Sequence, residues 1–136
     1  MKDKVLIVPC SGIGKSYGTV AREGAYVVTE DLCPEKTKLL PLALLVLGED
    51  EARSTLTGTE AITIDGCQLA CAAKVVANSG GTVAHRVQVL DVFRSHRNLK
   101  PSGIADLDAN RHKLARVLAE EVKELVDRVT GAVSHA

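Results

Sequence analysis

Apolar residues along this chain gather in short runs, and stretches with helical spacing separate them. Val5 to Val8 is a continuous apolar run between Lys4 and Pro9, as expected of a strand buried on both faces. Ser11-Gly12-Ile13-Gly14 reads as a turn, and Lys15 or Ser16 opens a helix running to about Asp31. The next apolar run, Leu39 to Leu47, is read as strand two. Pro41 inside it lacks a backbone donor, which points to an edge position or a later start. Glu49 to Leu56 follows as a short helix, and Ala61 to Ile64 as strand three. A helix from Cys67 to about Ala77 stops at the breaker Asn78-Ser79-Gly80-Gly81, and Thr82 to Val92 is strand four. After a polar loop, Arg94 to Gly103, a long last helix starts near Asp106 or Asp108. Leu114, Val117, Leu118, Val122, Leu125, Val126 and Val129 form its apolar stripe, and Gly131 is expected to end it.

Strands alternating with helices predict an α/β domain with three layers. Its sheet should be mostly parallel, of about four strands and Rossmann-like, with helices on both faces. The 136 residues fit one domain, residues 1–136. A domain of this length buries roughly two-thirds of its unfolded surface, so it needs neither disulfides nor metal merely to fold. The four cysteines, Cys10, Cys33, Cys67 and Cys71, are therefore read as functional residues and not as staples.

Charge removes several function classes. Lys plus Arg number 17 and Asp plus Glu number 17, so no net field steers the protein onto nucleic acid or an anionic membrane. With two Tyr, one Phe and no Trp, there is also no stacking platform for single strands. The apolar run near the N-terminus is too short for a signal peptide, and Leu39 to Leu47 is too short to span a bilayer. A cytoplasmic location is expected, where thiols stay reduced and cysteine clusters read as metal or redox sites. An exposed edge at strand two or four would permit a homodimer.

Two loops leave the carboxyl ends of strands, where ligand sites gather in open α/β sheets. One is Pro9-Cys10-Ser11-Gly12-Ile13-Gly14-Lys15-Ser16, and the other is Asp65-Gly66-Cys67-Gln68-Leu69-Ala70-Cys71. If both cysteines of the second loop lie on the first turn of a helix, their i, i+4 spacing puts them on one face. Exposed N–H groups at that helix end favour thiolate, the form that binds metal or attacks sulfur. If strands one and three are neighbours, Cys10, Cys67 and Cys71 converge as three ligands. Three protein ligands and an open position make an exchangeable or catalytic zinc site. Asp65 is the nearest oxygen candidate for the fourth place. His96, leaving the carboxyl end of strand four, is another candidate. Cys33 follows a helix of about 16 residues and should lie some 24 Å away, at the opposite edge, unless the topology differs.

Gly12, Gly14, Lys15 and Ser16 resemble the end of a phosphate loop, but Pro9 stands where the full pattern needs glycine. What remains is a turn able to hold a small anion or nucleotide. His85 reads as a structural residue within strand four, while His112 and His135 read as solvated.

At the same residues the chain resembles the DGC-domain family, described as zinc-binding on the strength of its cysteines. The resemblance rests on Asp65-Gly66-Cys67 followed by Cys71, on Pro9 to Lys15, on Gly18-Thr19-Val20-Ala21-Arg22 and on Ala61 to Asp65. It implies a metal site at Cys10, Cys67 and Cys71. Some members carry a cysteine in strand two, where this chain reads Leu39-Leu40-Pro41-Leu42. The expectation is thus a zinc protein with a thiolate site. The alternatives are thiol redox or persulfide chemistry at Cys67, and a small-anion module at Gly12 to Ser16.

Overall fold

Four parallel strands in the order β2-β1-β3-β4 make one sheet. The computed structural model describes residues 4–10, 16–66, 70–99 and 109–134. The elements are β1 (Val5–Pro9), α1 (Ser16–Tyr26), β2 (Thr37–Leu39), α2 (Leu42–Val46), α3 (Asp50–Leu56), β3 (Glu60–Asp65), α4 (Cys71–Asn78), β4 (Thr82–Gln88), α5 (Val89–Arg94) and α6 (Ala109–Ser134). A π-helical segment, Val27–Leu32, continues α1, and a 3-10 turn, Arg97–Leu99, follows α5.

Every residue of β1 is buried, which is why its sequence is apolar without alternation. It pairs with β3 from Leu6 opposite Ala61 to Pro9 opposite Ile64, and with β2 from Val5 opposite Thr37 to Ile7 opposite Leu39. The chain therefore leaves β1 toward one edge and later resumes at β3 on β1's other side. Right-handed crossovers then put the intervening helices on opposite faces. The packing agrees with this: α1 and α5 lie against α6, while α4 lies on β3 and β4 and against α2.

The last helix supplies most of one face. Leu114, Leu118, Val122 and Val126 are fully buried, and Val117, Leu125 and Val129 pack half-buried beside them, as the 3.6-residue spacing predicts. A methyl at Gly24 of α1 would stand 2.7 Å from Leu118 Cδ2. Gly24→Ala is expected to cost roughly 1–3 kcal/mol in urea unfolding, as overpacked cores do. Leu118→Val in the same chain should recover part of that loss. Strictly additive losses would show that this contact is not the cause.

Several expected boundaries are corrected. Leu39 to Leu47 is not a strand: β2 ends at Leu39, and Pro41 (φ −65°, ψ 130°) caps α2. Leu42 and Leu45 are buried while Ala43 and Val46 are exposed, a helical alternation that a wholly apolar run conceals. The edge position that Pro41 suggested does hold, since β2 is the outer strand. Strand four ends at Gln88, four residues early, because Val89 and Val92 face the core from a helical turn. Gly131 does not stop the last helix, which continues to Ser134. The proposed starts at Asp106 or Asp108 lie outside the described residues. No helix among the described residues is long and apolar enough to cross a membrane.

Candidate functional site

The strand order puts a topological switch point between β1 and β3, the two central strands whose chains leave toward opposite faces. Ligands of open α/β sheets bind in the crevice that such a divergence opens at the carboxyl ends. Cys10 immediately follows β1 and Asp65 ends β3, so both cysteine loops depart from this crevice. The backbone ties them together: Cys10 N donates to the Ile64 carbonyl at 2.8 Å. In return, Gly66 N donates to Cys10 Sγ at 3.2 Å. An N–H bond to sulfur strengthens as the sulfur gains negative charge.

Gly66 is required by a close approach. A Cβ there would lie 2.6 Å from Gly18 N, 2.7 Å from the Tyr17 carbonyl carbon and 2.9 Å from Gly18 Cα. The start of α1 thus sits directly on the end of β3, and only a residue without a side chain fits between them.

Asp65 is 2% exposed and turns both carboxylate oxygens to the start of α4. Ala72 N donates to Oδ1 at 2.8 Å and Ala73 N to Oδ2 at 3.4 Å. It works as a helix cap from the preceding strand, satisfying N–H groups that the helix itself leaves open. Burial pushes its carboxyl above the ordinary range, against the lowering pull of those two N–H groups and of Arg86 and Lys74. The structure therefore gives Asp65 an orienting role that the sequence did not indicate: it fixes the helix on which Cys71 stands.

Cys71 is the first residue of α4 and is exposed. Ala70 before it holds left-handed backbone (φ 53°, ψ 48°), the one non-glycine residue with positive φ among the described residues. The helix cannot run back through such a conformation, which corrects the expected start at Cys67. The helix begins at Cys71, and Cys67 lies outside the described residues. Left-handed backbone costs an alanine on the order of 1–2 kcal/mol and is typical of functional sites.

The remaining candidates divide clearly. Cys67, Gly12, Gly14 and Lys15 lie outside the described residues, and Ser16 opens α1 as expected. Among the described residues no three Cys, His, Asp or Glu side chains form a metal-holding group. His96 lies past α5 with Nδ1 3.1 Å from the Val92 carbonyl oxygen, so that nitrogen is engaged locally. Cys33 sits at the opposite pole, where its carbonyl accepts from Thr37 N just before β2 begins. Burial, and then the charge of Asp127, push its thiol up against the lowering effect of Lys123 and Lys36. Cys33 is thus a buried thiol at the end of the sheet opposite Cys10 and Cys71.

The family model of the DGC domain matches residues 6–129. This chain belongs to the DGC-domain family. The match covers both loops of the crevice, all of the sheet but Val5, and most of α6. No curated protein and no solved structure matches the chain. The triplet Asp65-Gly66-Cys67 thus has a physical division of labour at its first two positions. Asp65 caps α4, and Gly66 admits α1 and binds the Cys10 sulfur. The task of the glycine is not readable from its neighbours in sequence, because the backbone that presses on it is 48 positions away in the chain.

Proposed function

We propose that this DGC domain binds a soft divalent metal, zinc first, through the thiolates of Cys10, Cys67 and Cys71 at the β1/β3 switch point. The observation that carries the reading is the Gly66 N–H bond to Cys10 Sγ, which couples the sulfur opening one loop to the backbone next to Cys67 in sequence. Backbone N–H groups directed at sulfur are the outer-shell contacts that orient and tune thiolate ligands. The donor set fits zinc in kind, and cysteine sulfur outranks oxygen for such a metal. Asp65, turned to α4, supports the site without being needed as a ligand. Three thiolates leave a fourth position open, where a bound zinc acts as a Lewis acid or exchanges with a partner.

The test is the zinc content of protein purified without a metal-affinity tag. The account expects about one zinc per chain, lost in Cys67→Ser and Cys10→Ser and retained in Cys33→Ala. Zinc retained in Cys67→Ser, or lost in Cys33→Ala alone, overturns this ligand set.

A second reading, thiol redox or persulfide chemistry at Cys67, draws on the exposure of Cys71 at the start of α4. Helix N-termini favour thiolate, and an accessible neighbouring thiol can resolve an oxidised sulfur. Metal-free protein carrying a labile sulfur adduct on Cys67 would favour it.

A further inference from the structure

A cleft of about 200 Å³ opens beside Cys10, between α1 and the chain that turns from β2 into α2. Leu39, Leu42 and Ala43 line it from the β2–α2 side, Arg22 and Tyr26 from α1, and Cys10 completes the lining. At about 30 Å³ per water, the space equals roughly seven water molecules. That is a small metabolite's volume and falls below the range of drug-sized pockets. The lining is mostly apolar, and among the described residues its one charged side chain is cationic. Arg22 is held in place by Nη2 donating to Thr19 Oγ1 at 3.2 Å. Among the described residues no acidic side chain lines the cleft to partner an ammonium, whereas a carboxylate meets a guanidinium suited to it.

We propose that this cleft binds a small free aliphatic carboxylate, its charged end at Arg22 and its hydrocarbon body against Leu39, Leu42 and Ala43. The ligand then lies alongside the Cys10 sulfur, at the edge of the crevice. The proposal shares Cys10 with the metal reading but rests on the shape and charge of the cleft alone.

Calorimetric titration of the full chain with isovalerate, and with isovaleramide as its neutral counterpart, tests it. One saturable site is expected, with the acid bound about tenfold or more tightly than the amide, as a charge-assisted hydrogen bond gives. Arg22→Gln should erase that preference. Ala43→Phe, at an exposed position on the wall, should abolish binding while leaving the melting temperature unchanged. Equal binding of acid and amide, an unchanged affinity in both variants, or no saturable site would each overturn the proposal. Zinc content is recorded on the same samples. Isovalerate binding without zinc leaves the cleft standing and removes the metal reading, and zinc without isovalerate binding does the reverse.

Discussion

Gly66→Ala is expected to lose about 3 kcal/mol of stability, at the upper end of what overpacking costs. The reason lies in what the new methyl would meet. All three nearest atoms belong to the backbone of Tyr17 and Gly18, at 2.6 to 2.9 Å, so no side-chain rotation relieves the clash. Either the start of α1 lifts from the sheet or the end of β3 is displaced. Both outcomes disturb the Gly66 N–H contact with Cys10 Sγ, so the variant should also lose metal. Urea unfolding checks the stability, and zinc content of the folded fraction checks the site. Near-wild-type stability would mean that α1 does not rest on Gly66. The contrast with Gly24→Ala is instructive, because there the obstacle is the Leu118 side chain, and a smaller partner can relieve it.

Asp65→Ala carries the second large effect, a loss of about 2–3 kcal/mol in the metal-free protein. It removes the cap of α4 and leaves the Ala72 and Ala73 N–H groups in a buried place without their acceptor. Asp65→Asn keeps an acceptor oxygen and should lose much less. The wild type and Asp65→Asn also separate by pH. Burial raises the carboxyl in the folded state above its ordinary value of 3.8. Between that value and the raised one, the folded protein holds a proton that the unfolded chain releases. Stability therefore falls as pH rises through this window, and the group's favourable contribution is fully present only below it. In the Asp65→Asn variant this slope disappears. Urea midpoints of chelator-treated wild type and Asp65→Asn, compared across the acid range, would show it. Parallel curves would mean that folding does not raise the carboxyl, the N–H groups, Arg86 and Lys74 offsetting its burial.

Much of the fold was legible because burial leaves direct marks on composition. A strand covered on both faces reads as the unbroken run Val5 to Val8, and a helix on a sheet reads as the stripe from Leu114 to Val129. The failures share one physical origin. In Leu39 to Leu47 and in Val87 to Val92, buried apolar positions recur from a strand into a short helix with one buried face, and hydrophobicity alone does not mark the change of backbone. Pro41 was the available marker, and it caps α2.

The site was legible in part for a similar reason. Each loop could be placed at the carboxyl edge from its own strand, and the distance of Cys33 followed from helix length. That β1 and β3 are neighbours is a property of strand order, which local patterns do not encode. Alanine gives no warning of a left-handed backbone, so Ala70 concealed the true start of α4 at Cys71. Gly66 and Asp65 were visible as a motif, but their tasks depend on Gly18, Cys10 and Ala72, contacts that only the folded chain brings together.

Zinc-edge X-ray absorption on the tag-free protein tests the central claim most directly, because it counts the sulfur atoms around the metal. The account predicts three sulfurs at about 2.3 Å with one lighter ligand completing the shell, and two sulfurs at most after any zinc is restored to Cys10→Ser. A shell of nitrogen and oxygen alone, or a protein that holds no zinc, would contradict it.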